Sequence, residues 1–184
     1  MKKLILLVVG ATADACNPGP QVHKKNASVA EIAKKVGETS AAQNFVRAGL
    51  WEAKATVEQL DVPGLPPEMA ERMKDNLAEH QPKGFQTCLT PEDVERPKEA
   101  FFAGKSNQCR YDHFDMGDGK VDALMHCGGE RMAQTMQMNG TYSPDNYVMH
   151  ISTKMQGTMA VDQEMTMRMR IDARRVGECA GKQG

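Results

Sequence analysis

From Cys109 onward, apolar and polar side chains alternate with a period of two. Met132, Met136, Met138 and Tyr142 share one parity, as do Tyr147, Met149, Ile151 and Met155, and then Met165, Met167, Met169, Ile171 and Ala173. The opposite parity carries Thr135, Gln137, Asn139 and Thr141, then His150, Ser152 and Lys154, then Thr166, Arg168, Arg170, Asp172 and Arg174. Such alternation predicts half-buried strands over 108–116, 120–127, 131–142, 147–156 and 164–174, with turns at Asp118-Gly119 and Ser143-Pro144-Asp145-Asn146.

The N-terminal half is mixed. Ser28-Val29-Ala30-Glu31 has the spacing of a capping box and predicts a short helix to about Val36, stopped by Gly37. Residues 17–27 read as a linker. Ala53, Ala55 and Val57 alternate within a strand over 45–62, ended by Val62-Pro63-Gly64. Pro66 and Pro67 open a helix to about His80 that sets Met69, Met73 and Leu77 on one stripe. A short strand follows over 85–89, then a helical turn capped by Thr90 with Pro91 at its first position, and Pro97 allows a second turn through Ala100 and Phe101.

The fold expected is mainly β: an antiparallel meander forming a curved sheet or barrel-like domain, with short helices in the N-terminal half. Its expected division is a leader over 1–15, a linker with a short helix over 16–44, and one β-rich domain over 45–184.

The leader is the clearest functional signal. Lys2 and Lys3 precede a short apolar run from Leu4, and Ala13-Asp14-Ala15 is an A-x-A cleavage pattern, so the chain is expected to be exported. The run is too short to span a bilayer. Cys16 stands at the cleavage point, and two readings compete: ordinary cleavage before it, or lipoprotein processing in which Cys16 bears lipid and ties the domain to a membrane surface. The second gives a lone cysteine at that point a reason. Charge adds an exclusion. Taking Lys2, Lys3 and Asp14 from 23 basic and 24 acidic residues leaves 21 against 23, with nothing of the basic face that nucleic acid demands.

Four cysteines remain, Cys88, Cys109, Cys127 and Cys179, an even number without C-x-x-C spacing, which predicts two disulfides in an exported protein. A two-residue Asp118-Gly119 turn pairs Phe114 with Ala123 and Met116 with Val121. One β-bulge at Asp112-His113, opposite Leu124, then places Cys109 opposite Cys127 and leaves Cys88 for Cys179. Pairing Cys88 with Cys109, which closes a shorter loop than Cys88 with Cys179, is the alternative.

The methionine row offers three chemistries. It is the inner face of a packed sheet, a soft-metal site taking Cu(I) through thioethers with His113, His126 or His150, or the lining of a cavity for an apolar ligand. Packing is favoured, because every methionine row continues into Ile or Tyr on the same parity, company that a ligand row does not need. Asp112, His113, Asp115, Asp118 and Asp122 gather acidic groups, but Phe114 and Met116 occupy the positions where the early carboxylates of a calcium loop belong. No nucleophile elbow, zinc-protease helix or phosphate loop occurs, so no catalytic residue, metal or cofactor is assigned.

Together, the leader, Gly49-Leu50-Trp51-Glu52, Cys88-Leu89-Thr90-Pro91-Glu92, the Cys109 to Cys127 hairpin, the methionine-rich C-terminal sheet and the closing Gly177-Glu178-Cys179 resemble the domain-of-unknown-function family 3617 of proteobacterial envelopes, from about residue 45 to Cys179. What the resemblance implies is compartment and fold, because that family has no settled activity. Many of its members look like lipoproteins, which favours lipid on Cys16. The expectation is therefore a non-enzymatic envelope domain, lipid-anchored, that binds an apolar ligand or a protein partner.

Overall fold

A computed structural model describes residues 21–43, 45–80, 84–99, 102, 108–129, 132–157 and 164–180. Its elements in chain order are β1 (Val22–Ser28), α1 (Val29–Gln43), β2 (Gly49–Asp61), α2 (Pro67–His80), β3 (Phe85–Leu89), α3 (Pro91–Glu95), β4 (Cys109–Gly117), β5 (Lys120–Gly129), β6 (Met132–Ser143), β7 (Asn146–Gly157) and β8 (Glu164–Gly177). The strands form one antiparallel eight-stranded sheet in the order β1-β4-β5-β6-β7-β8-β2-β3. The meander from β4 to β8 follows the expected alternation. The sheet is open, with β1 and β3 at its edges.

Edges invite unwanted pairing, and each is blunted. β3 has only five residues, and β1 carries exposed Lys24 and Lys25 next to Asn26 at φ 55°. Between β4 and β5, Asp118 and Gly119 both take positive φ (50° and 71°), the mirror-image turn whose twist matches the flanking strands.

Residues 22–43 are part of the folded domain and correct the expected linker and short helix. β1 pairs with β4 from Val22 opposite Met116 to Ser28 opposite Arg110, and Val22, Ala27, Val29, Ile32 and Val36 join one core with Tyr111, Phe114 and Met125. The strand was hidden in the sequence because its buried positions stand at its two ends, separated by four exposed polar residues, with Asn26 at φ 55° where the parity changes. At the junction with α1, the Ser28 hydroxyl accepts from the Glu31 amide at 3.2 Å, while the Glu31 carboxylate accepts from the Ser28 amide at 2.8 Å.

α1 also runs past Gly37 to Gln43. Gly37 is a contact rather than a stop: a Cβ there would lie 2.5 Å from the carbonyl oxygen of Glu95, so its absence lets the end of α3 sit against α1. The second helical turn expected at Ala100 and Phe101 lies outside the described residues. Phe45, expected within the strand, precedes β2 and is buried with its ring edge-on to Tyr142 at 5.4 Å.

Candidate functional site

The cross-strand register gives the sheet two chemically distinct faces. On the inner face β4 contributes Cys109, Tyr111, Phe114 and Met116, β5 contributes Val121, Ala123, Met125 and Cys127, and β6 contributes Met136, Met138 and Tyr142. β7 continues with Tyr147, Met149, Ile151, Thr153 and Met155, β8 with Met165, Met167, Met169, Ile171 and Ala173, and β2 with Ala53, Ala55, Val57 and Leu60.

Burial along this face is uneven. Under α1 it is closed: Met125 and Ala123 are fully buried, Tyr111 is 1% exposed, and its hydroxyl donates to the Phe102 carbonyl at 3.0 Å. A second closed patch sits where β2 meets the ends of β7 and β8, around Trp51, Ala53 and Ala173. Trp51 stacks tilted on Tyr147 at 5.8 Å and donates its indole N–H to the Arg47 carbonyl at 3.0 Å. Between the two patches Met149, Ile151, Met155, Met165, Met167, Met169 and Ile171 are only half-buried, with Thr153 the one side chain of β7 that is fully buried. Packing on the inner face was the expectation for the methionine rows; Met136 and Met138 on β6 pack half-buried against the core under α1, and the methionines of β7 and β8 are half-buried as well. Thr153 was missed for a simple reason, since a hydroxyl residue does not stand out in a methionine count although its parity placed it there.

Gly140 belongs to this surface. A Cβ on it would come 2.1 Å from the Val148 carbonyl oxygen and 2.7 Å from the Met149 sulfur, so the missing side chain lets β6 and β7 approach and makes room for the thioether. Burial raises the hydroxyls of Tyr111, Tyr142 and Tyr147 above the ordinary tyrosine value.

The outer face is a polar lattice in which imidazoles lie against carboxylates of other strands. His23 Nδ1 lies 2.8 Å from Asp115, His113 Nε2 lies 2.7 Å from Asp122, and His150 Nδ1 lies 3.8 Å from Glu58. His126 is engaged at both ring nitrogens, by Asp112 at 2.9 Å and by the Thr135 hydroxyl at 3.0 Å. Asp115 and Asp122 face each other across β4 and β5, each with an imidazole, of His23 and His113 respectively, within 2.8 Å. His23 and Asp115 border a shallow depression of about 540 Å³ with Asn139 and His150. Sequence reading missed His23 because it took that segment for a linker. Farther along, Arg170 holds the Asp172 carboxyl below its usual range through a 2.7 Å contact.

The histidines considered as copper ligands therefore stand on the face opposite the thioether rows. No group of three or more His, Cys, Asp or Glu among the described residues is placed to hold a metal ion.

Cys88 is bonded to Cys179, tying the tail after β8 to β3, and Cys109 to Cys127, its direct cross-strand partner. The register shift between Tyr111 and His113, with His113 opposite Leu124, is the bulge that the hairpin required. Cys16 lies outside the described residues. No helix among the described residues is long and apolar enough to cross a membrane, which leaves β-strand spanning unaddressed.

These features define a disulfide-linked, open antiparallel sheet whose methionine-lined face is closed at two patches and half-open between them. The chain belongs to the family described as Protein of unknown function (DUF3617), which matches residues 46–179. Comparison with curated proteins and with solved structures finds no match.

Proposed function

We propose that this chain is a non-enzymatic domain of the bacterial cell envelope, exported by its leader and held at a membrane surface by lipid on Cys16, and that its inner face carries an apolar ligand. The observation that supports the ligand reading is the half-buried row Met165, Met167, Met169 and Ile171 on β8, beside Met149, Ile151 and Met155 on β7, between two closed patches. An apolar strip left half-open in a folded domain marks a place where something apolar rests. Methionine suits that task, because an unbranched thioether adapts to a ligand without a fixed shape. Burying a fully exposed side chain of this size contributes about 1.5–3 kcal/mol, and although each of these gives only the fraction left exposed, covering several at once adds up to useful affinity.

Export and anchoring rest on Lys2, Lys3, the apolar run, Ala13-Asp14-Ala15 and Cys16. The intact mass of the protein extracted from membranes tests the anchor: the account expects a chain beginning at an acylated Cys16, and an unmodified Cys16 refutes it. Solvent extraction of the same purified protein tests the ligand reading, with a stoichiometric apolar small molecule expected and a bare chain counting against it.

A further inference from the structure

Among the described residues, the readily oxidised sulfur is all thioether. Cys88, Cys109, Cys127 and Cys179 are closed into bridges, so none of them offers a thiolate to an oxidant. The methionines remain, and the fold sorts them by access. Met125 is fully buried and Met116 is 9% exposed, both under α1. On the open strip Met149, Met155, Met165, Met167 and Met169 are half-buried, and on α2 Met69 and Met73 are exposed at 53% and 42%.

The sulfurs of the strip are also gathered. Met155 stands directly opposite Met165 across β7 and β8, and Met165, Met167 and Met169 follow one another along one face of β8. Alternate residues of a strand lie about 7 Å apart, so the row presents three thioethers in succession to whatever rests on it.

We propose that the strip is a methionine-oxidation site, and that oxidation of Met165, Met167 and Met169 releases the apolar ligand. The oxidant is a two-electron oxidant of the peroxide class. With hydrogen peroxide, a sulfur lone pair attacks one peroxide oxygen, and the O–O bond breaks as the S–O bond forms. The displaced hydroxide takes the proton of the transferred hydroxyl and leaves as water, so the thioether is oxidised to a sulfoxide and the peroxide is reduced. A sulfoxide is polar and needs hydrogen-bond donors that this face hardly supplies. Met167 and Met169 have Thr153, Ile151, Val57 and Leu60 as cross-strand neighbours, and of these only Thr153 carries a side-chain donor. Three sulfoxides therefore turn a row that favours an apolar chain into one that favours water.

The same sorting protects the fold, because the methionines that hold the core together are the covered ones. Reduction of each sulfoxide by a dithiol-dependent reductase, which forms a disulfide and water, returns the thioether and makes the change reversible. This inference rests on the ligand reading above and adds its regulation.

The test uses the full chain with Cys16→Ser, treated with dilute hydrogen peroxide and mapped by peptide mass. Met69 and Met73 are expected to gain oxygen first, the strip methionines next and Met125 last. The oxidised chain is expected to bind a fluorescent fatty-acyl probe about tenfold more weakly with unchanged circular dichroism, and methionine sulfoxide reductases with a dithiol are expected to restore binding. Leucine keeps the row apolar without an oxidisable sulfur, so M165L/M167L/M169L is expected to bind before treatment and to lose less than about threefold after it. M69L/M73L is expected to respond as its parent does. Strip methionines oxidised no faster than Met125, undiminished binding once Met167 and Met169 carry oxygen, loss of binding together with the fold, or an equal loss in the triple leucine variant each overturns the proposal. Binding by the untreated chain reports on the ligand reading itself. A strip that never binds the probe defeats that reading and the release with it, whereas a strip that binds equally before and after oxidation defeats the release alone.

Discussion

Met149 and His150 are adjacent in the chain yet face opposite sides of the sheet: Met149 pairs with Ile171 on the inner face, and His150 with Arg170 on the outer. The same division separates His113 and His126 from the thioether rows, so imidazole and thioether donors do not converge. A Cu(I) competition titration of the chain is expected to be unaffected by His113→Gln, His126→Gln or His150→Gln. Loss of a tight equivalent in any one of them would break the partition between the faces.

Methionines of one row differ in what they hold up. Met125 is fully buried under α1, whereas Met167 is half-buried in the open strip. Met125→Ala is expected to cost about 2–5 kcal/mol in chemical denaturation, as large-to-small core changes do, and Met167→Ala less than about 1.5 kcal/mol. Equal costs would mean that the strip is ordinary core.

Gly140 answers to space rather than to backbone conformation. With a Cβ placed 2.1 Å from the Val148 carbonyl oxygen, Gly140→Ala forces β6 and β7 apart and is expected to destabilise by about 1–3 kcal/mol. Hydrogen exchange should quicken first at the pairing of Val121 and Met149 with residue 140, and unchanged protection there would refute the close approach.

Alkaline pH tests the tyrosines. The sequence holds three, and burial lifts all three above the ordinary value near 10, because the phenolate is the form that desolvation penalises. The folded chain thus keeps protons that the unfolded chain releases. Their contribution is complete below about pH 10 and is lost as pH rises from there through the folded values. Spectrophotometric titration at the ordinary tyrosine value should show less phenolate in the folded chain than in the same chain in denaturant, where the exposed phenols are half ionised. Early ionisation of Tyr111 would contradict its buried hydrogen bond.

The Cys88–Cys179 bridge holds the tail after β8 onto edge strand β3. Replacing both cysteines by serine is expected to lower stability by about 2–4 kcal/mol and to expose β3 to exchange before the meander. A uniform loss across the sheet would show that the bridge staples the whole domain instead.

Much of this architecture was legible. Two-residue parity from Cys109 onward gave the meander and its faces, and the arithmetic of the Asp118-Gly119 turn required a bulge that the register places at Asp112. The misses share a physical cause: they depend on distant partners. Val22 and Ala27 acquire their parity only against Met116 and Tyr111, and Gly37 looks like a helix stop until Glu95 lies against it. The openness of the strip across β7 and β8 was likewise invisible, because alternation states which side of a strand is apolar and says nothing of what covers it.

The central claim is that the inner face across β7 and β8 receives an apolar ligand, and titration of the ligand-stripped Cys16→Ser chain with a fluorescent fatty-acyl probe tests it most directly. The account predicts saturable one-to-one binding, weakened about tenfold by Met167→Gln with Met169→Gln while the fold is retained, and unaffected by changes at His113 or His150. Absence of saturable binding, or binding indifferent to Met167 and Met169, would contradict it.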